Sequence, residues 1–455
     1  MDSDLGERLM VSTAVRARGN HQAVPAGPRR LRLDLRTTPA RMRLLQAGLI
    51  LLSLAWGALA VFTVSQYASA ASGVVTTREP LSFDALQIYS RLSDANDAAA
   101  TAFLTGGLDP VAVRQRYLDD ITAAETGLEG VTALGGAGNG ATASDLRTLA
   151  ADIPLYAGEI ETARADNRLA LPLGAAYLRE ASALMRGTLL PTAQGLYDAE
   201  NASLGTTSAR ATGLPLITVT AVIGLGIGCG LYLASRWLAR RTNRVLNLGL
   251  LAAGLALVVS LAWLAAAYAN GRSSLLKAQA RGSTPVAALA RVDIAVQRAH
   301  ADESLTLIDN GGDDSYQRDY QSLQRTLGPG QGTLLTNAQA AAAGSPAESA
   351  VAAMVSDAQR WYTAHGILRG DDNSGKHAAA VRSALDQAPG SAATSFGQLS
   401  AHLTTAMTVD QAAFDASARD GSSAFTGTAP GVIAVALVMA VGCGWGLNRR
   451  LAEYR

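Results

Sequence analysis

The 455-residue chain is short of most of what a soluble enzyme uses. It has two cysteines, Cys229 and Cys443, which excludes a disulfide scaffold and a four-thiolate zinc site. Charged residues make up 16% of the chain, against about 25% in ordinary globular proteins. Aromatics supply 5%, so the 49% hydrophobic content is mostly Ala, Leu and Val. Only Lys277 and Lys376 are lysines. The net charge of +1 provides no general basic field, so no nucleic-acid partner is expected. No G-x-S-x-G, P-loop, H-E-x-x-H or strand-preceded G-x-G-x-x-G occurs, no Val/Ile/Thr alternation marks a strand, and neither an enzyme nor a cofactor is expected.

What the chain does have is four long stretches without charge. They run over 44–66, 214–235, 245–268 and 430–447. About 20 apolar residues in a helix cross a hydrocarbon core of about 30 Å. The first three pass that length, and the fourth reaches it with residues near Ala429. The basic leader, 1–43, is too long for a cleaved signal, so the first stretch reads as an anchor. The small residues Ala68 to Ala71 are the one feature that points the other way.

Arginines orient the spans. They crowd the leader, the link 236–244 (Arg236, Arg240, Arg241, Arg244) and the tail 448–455 (Arg449, Arg450, Arg455). The positive-inside rule puts all three in the cytoplasm and segments 67–213 and 269–429 outside, in a multi-pass plasma-membrane protein. The leader reads as a mostly disordered tail, and its arginines also suit anionic lipid heads.

The chain also repeats itself. Pro80, Asp97, Phe103 and Gly106-Gly107 match Pro285, Asp302, Ile308 and Gly311-Gly312 at an offset of 205. Tyr156 and Asp166-Asn167 match Tyr362 and Asp372-Asn373 at 206. Tyr67-Ala-Ser and Tyr268-Ala-Asn follow spans one and three. Duplication of a span–ectodomain–span unit explains the pattern. In the first copy, helices are predicted over 81–105, from an Asp109-Pro110 cap through Leu128, from a Ser144 cap to 167, and over 174–208. The second copy predicts 286–310, 315–327, 346–369 and 376–418. The fold class is therefore an all-α membrane protein, with four transmembrane helices and two extracytoplasmic antiparallel four-helix bundles in tandem.

Few residues stand out as chemistry. Asn96, Asp97, Asp302 and Glu303 are polar positions in Ala-rich helices, open to reading as ligand or partner contacts or as solvated faces. His300 beside Asp302 and Glu303 reads as part of a polar helix face, without metal-ligand spacing. Gly226-x-x-x-Gly230 and Gly442-x-x-x-Gly446 suit close packing of membrane helices. The spans hold no Asp, Glu, Lys, Arg or His, which argues against a transporter or channel. The cytoplasmic segments are too short for a kinase or cyclase. A separate cytoplasmic protein must receive any signal, and Arg236, Arg240, Arg241, Arg244, Arg449 and Arg450 are the candidate contacts.

The paired span–bundle–span arrangement, with its Arg-rich leader and repeat, resembles the actinobacterial GlnX-type membrane sensors over about 29–455. That resemblance implies a GlnH-like glutamine/glutamate-binding lipoprotein outside and a PknG-like Ser/Thr kinase inside, relaying amino-acid availability to nitrogen and carbon metabolism. It carries over no catalytic or binding residue. Two other readings stay open: a stand-alone bundle receptor for a small ligand, and an assembly factor of an envelope complex. Oligomers fit any of them.

Overall fold

A computed structural model of the protein describes residues 38–135, 140–242, 247–310 and 314–452. The leader up to Arg36, Arg244, Gly311-Gly312 and Arg455 lie outside these residues, as do the side chains of Arg241 and Arg450. Among the described residues the chain is helical throughout, with no strand. Four helices are long and apolar enough to cross a membrane, within Arg41–Leu104, Leu173–Arg240, Leu248–Asp309 and Ala392–Arg449, as fits a membrane protein.

Two of these stretches are rods that never break. Helix α1 (Thr38–Gly73) passes through one π-turn, Val74–Arg78, into α2 (Glu79–Leu104). The same course recurs downstream, where α8 (Leu248–Ala278) passes through Gln279–Ser283 into α9 (Thr284–Asp309). A third π-turn, Met185–Leu189, joins α5 (Leu173–Leu184) to α6 (Leu190–Thr212). Each π-turn ends two residues before a proline, Pro80, Pro285 or Pro191. A proline ring collides with the carbonyl four residues back and has no N–H to donate to it. In the wider turn the residue before the proline bonds five residues back, as Glu79 N–H does to the Val74 carbonyl and Thr284 N–H to that of Gln279. The helix therefore bends its hydrogen-bond ladder without losing it.

The two rods lie side by side and parallel. Trp56 Nε1 donates to Ser260 Oγ at 3.2 Å, and Ser90 Oγ donates to Asp293 Oδ2 at 2.5 Å. Asp97 bonds His300. These partners are 204, 203 and 203 residues apart, so contact is kept at matching heights from the membrane helices upward.

Around the rods the remaining helices complete a helical head. Helices α3 (Val111–Ala133) and α4 (Gly140–Arg168), with α5 and α6, close on α2 around Leu92, Ile153, Tyr156 and Leu189. Downstream, α10 (Ser315–Leu327), α11 (Leu334–Ala342), α12 (Glu348–Asn373), α13 (His377–Leu385) and α14 (Ala392–Ser423) surround α9. Their core centres on Tyr320, Trp361 and Leu399. Val286, Ala290 and Ile294 of α9 belong to the first core, so the two groups of helices are fused along α2 and α9.

Some details differ from expectation. Helix α11 falls where no helix is predicted, and the helix expected over 376–418 is cut at Pro389-Gly390, where Gly390 takes φ 83°. Asp109 does not cap α3; it pairs with Arg164, and Pro110 holds the N-cap. Ser144 lies one turn inside α4, which begins at Gly140.

The chain re-enters the apolar layer through two breaks. Between α6 and α7 (Pro215–Thr242) the helix stops at Gly213, and two tyrosines take up the freed carbonyls. Tyr67 Oη donates to Gly213 O at 2.8 Å; Tyr268 Oη reaches Thr212 O and Gly213 O, both at 2.9 Å. Arg272 Nε adds a bond to Thr212 O at 3.1 Å. Phe425, in the second break before α15 (Thr428–Ala452), stacks on Tyr67 with ring centroids 6.4 Å apart. One aromatic cluster thus fastens both re-entry points to the rods.

In the apolar layer α15 packs between α1 and α8. Gly442 and Gly446 lie against Gly249 of α8, close enough that backbone touches backbone. The glycine run of α7 is used in the other phase from the one its sequence suggests. Gly224 faces Trp56 and Leu261, and Gly228 faces Leu257, whereas Gly226 and Gly230 meet nothing within 4 Å.

Candidate functional site

The head buries an unusual amount of charge at the seam between its two groups of helices. Asp97 is the centre of it, with its side chain 1% exposed. Its Oδ1 bonds His300 Nδ1 across the seam, and its Oδ2 lies 3.6 Å from Arg116 Nη2 on α3. Arg116 also faces Asp120 at 3.9 Å, and Arg91 Nη1 donates to Asp120 Oδ1 at 3.1 Å. Two turns nearer the membrane, Asp293 accepts from Ser90 and, at 3.5 Å, from Gln297 Nε2. The His300 ring stacks on Phe396 with centroids 3.6 Å apart, which seals it from above.

The other anticipated residues have their own partners. Asn96 Oδ1 accepts from Ser182 Oγ at 3.2 Å. Asp302 accepts from Arg186 at 3.2 Å, and that guanidinium also lies over the Tyr316 ring. Glu303 Oε2 bonds His365 Nδ1 at 2.5 Å, with the imidazole stacked on Tyr320. Asp97 and Asp302 thus both reach across the seam, one to α9 and one to the π-turn before α6. Asp94, Arg116, Asp293 and Gln297 do not stand out in the sequence. Asp293, Gln297 and His300 fall at i, i+4 and i+7 on one face of α9, and that stripe is the signal that could have found them.

Burial sets the protonation of the seam. It pulls His300 down, but the Asp97 charge and hydrogen bond, helped by Glu303, leave it above the ordinary imidazole value. Burial, then the charge of Asp293, raise Asp94 well above the usual carboxylate range. Asp120 and Asp293 are also raised, chiefly by burial. Asp302 is pushed up to about 7 by burial, with Arg186 opposing. Glu79 is likewise pushed up to about 7 by burial, against a bond from Gln411.

These shifts fix the sign of a pH effect. A carboxyl raised in the fold takes up a proton that the unfolded chain has released, so its stabilisation is full below the unfolded value near 4 and lost as pH rises through about 7. The melting temperature of the detergent-solubilised protein is expected to fall by several degrees between pH 5 and pH 8. Asp302→Asn flattens that profile. A profile that rises over this range would contradict the assignment.

Two clefts open on the seam. The larger, about 720 Å³, is lined by Thr101, Arg116, His300, Leu385, Phe396 and Ser400. The smaller, about 390 Å³, is lined by Arg91, Asp94, Asp293, Gln297 and Ser400 among others. Ser400 and Thr404 border both, so the clefts adjoin. Among the described residues no group of three or more His, Cys, Asp or Glu is arranged to hold a metal ion.

At the far end of the membrane helices, Arg236 and Arg240 stand at the rim of an apolar groove of about 710 Å³ between α1 and α7, lined by Leu45, Leu49, Gly230 and Leu233. Arg449 lies over the Trp445 ring at 5.5 Å. Cys229 is exposed on α7, and Cys443 is buried on α15 with Ser53 Oγ 4.0 Å from its sulfur.

Residues 70–209 match the family model of an actinobacterial sensor domain. This sensor segment starts near the end of α1 and ends in α6, covering less than a third of the chain. It contains Asp94, Asp97, Arg116 and Asp120, and the match supports a sensing role. No curated protein and no solved structure gives a match.

Proposed function

We propose that the protein is a multi-pass plasma-membrane sensor with both termini in the cytoplasm, in which two tandem span–bundle–span units report an extracytoplasmic condition to a separate cytoplasmic protein. The observation that carries this reading is the pair of unbroken rods, which join the buried charged seam to the membrane helices. A change at the seam that alters how α2 sits against α9 must move α1 against α8, because no flexible joint lies between. Helix shifts of about 1–2 Å are typical of such switches. The arginine clusters at the other end, including Arg236, Arg240 and Arg449, are where the shift would be read.

The resemblance to GlnX-type sensors makes the finer version specific. A GlnH-like lipoprotein charged with aspartate or glutamate docks on the head and favours one packing of the rods, and a PknG-like kinase responds inside. Signalling requires unequal affinity for the two packings. A crosslinked pull-down from native membranes, with and without added aspartate or glutamate, tests it. Recovery of a solute-binding lipoprotein and a kinase, varying with the amino acid, is the expected result; recovery of neither ends the relay.

The adjoining clefts favour a second reading, direct binding of a small ligand at the seam. Pockets of about 300–1,000 Å³ with a few converging polar groups are the usual form of such sites. Binding of the same amino acids to the purified protein, without any lipoprotein, would move the assignment there.

A further inference from the structure

The smaller cleft has a definite chemical preference. Its wall carries three carboxylates, Asp94, Asp293 and Asp415, against one guanidinium, Arg91. Arg91 is already engaged, donating to Asp120 at 3.1 Å and to Gln87 Oε1 at 3.2 Å. Asp415 is paired outward with Arg419 at 3.3 Å. The carboxyls left facing the cleft are Asp293 and Asp94, the latter with only its Oδ2 near a cation, 3.9 Å from Arg91 Nη1.

Two hydrogen-bond acceptors in this wall have no partner. One is Asp94 Oδ1. The other is Oε1 of Gln297, a residue only 2% exposed. The Gln297 amide cannot be turned round to remove the problem. Its nitrogen faces Asp293 Oδ1 at 3.5 Å, and an ionised carboxylate only accepts. Buried acceptors left without donors are costly unless a donor arrives. What is wanted is a group with several N–H bonds and positive charge.

We propose that the cleft between α2, α9 and α14 binds the protonated amine of a small organic molecule, with Asp94 Oδ1 and Gln297 Oε1 as direct acceptors and Asp293 as the buried counter-charge. An ammonium group has three N–H bonds, and the hydroxyls of Ser400 and Thr404 border the same space for the third. The cleft is far larger than one ammonium. Phe83, Val286 and Met407 offer an apolar wall for the rest of the molecule. The opening past Ser400 leads to Arg116 and His300, where a second, anionic end would be met.

This assignment deepens the direct-binding reading and names its ligand class. The test is calorimetric titration of the full-length, detergent-solubilised protein with 1,4-diaminobutane, with L-glutamate, and with sodium butyrate as the amine-free control. Binding of diaminobutane alone identifies a simple amine as the source of the ammonium group. Binding of glutamate identifies an amino acid, and Arg116→Gln should then weaken glutamate but not diaminobutane. In either case Gln297→Leu and Asp94→Asn each weaken binding about tenfold or more, as loss of a hydrogen bond to a charged group requires. Ser400→Phe, on the accessible side of the cleft, blocks it without touching the buried charges, and serves if either buried variant misfolds. Absence of binding by both amines at millimolar concentration overturns the proposal, as does binding of butyrate equal to theirs, or binding unchanged in all three variants. Since no partner or signal enters this assay, its failure leaves the lipoprotein relay to stand or fall on the pull-down.

Discussion

Asp97→Ala should destabilise the protein by about 3–5 kcal/mol, the loss typical when one member of a buried charge pair is removed. The side chain is 1% exposed and holds His300 on one side and Arg116 on the other. Without it the imidazole stays fixed by its stack on Phe396 but loses the neighbouring charge that raises its pKa. Arg116 retains Asp120 at 3.9 Å, which is why the loss should not exceed the usual range. Denaturation in mild detergent, followed by circular dichroism, measures it. Asp302→Ala is the informative contrast. Its partner Arg186 is 22% exposed and keeps Asp319 at 3.7 Å, so a smaller loss is expected there. Equal losses at the two matched aspartates would mean that burial at the seam does not set the energetics.

The second large effect lies in the membrane helices. A Cβ on Gly249 would stand 2.3 Å from the Gly442 carbonyl oxygen and 2.5 Å from the Gly446 Cα. Both obstacles are backbone, so no side chain can swing aside and α8 must part from α15. Small-to-large changes in packed interiors cost about 1–3 kcal/mol. Gly249→Ala is expected near the upper end of that range, and Gly249→Leu should prevent a stable fold. Gly226→Ala, with nothing within 4 Å, should leave the melting temperature unchanged. Disulfide trapping between cysteines placed on α8 and α15 gives a direct reading, strong in the parent and weakened in Gly249→Ala. Unimpaired trapping would show that the two helices do not depend on that crossing.

The membrane helices were legible because a charge-free apolar run of about 20 residues suits a bilayer and little else. Helix boundaries were less so. Asn247 and Ser391 do cap α8 and α14 through their side chains, yet Asp109 and Ser144 are equally good cap residues and serve otherwise. Local preference ranks cap candidates, and tertiary ion pairs such as Asp109–Arg164 decide among them. The π-turns had a signal in Pro80, Pro191 and Pro285, but a proline near the start of a helical stretch marks a helix beginning just as well. The seam was the hardest part. Asp97 could be suspected from its position in an Ala-rich helix, but its partner His300 is 203 residues away. Nothing local says that α2 and α9 run parallel at matching height. The glycines of α7 illustrate the same limit, since Gly224, Gly226, Gly228 and Gly230 offer two phases and only packing selects between them.

The π-turns beneath α2 and α9 have one more consequence. Each places an extra residue in a single turn, and one residue of α-helix corresponds to a rotation of about 100°. Such a turn is a dislocation in an otherwise regular lattice: sliding it along the axis would twist only the stretch it passes and leave both ends seated. Pro80 and Pro285 pin the two dislocations in place, 205 positions apart in the chain. The stripes facing the neighbouring rod therefore jump in phase by the same amount on both, and the two rods remain in step with each other above the jump as well as below it.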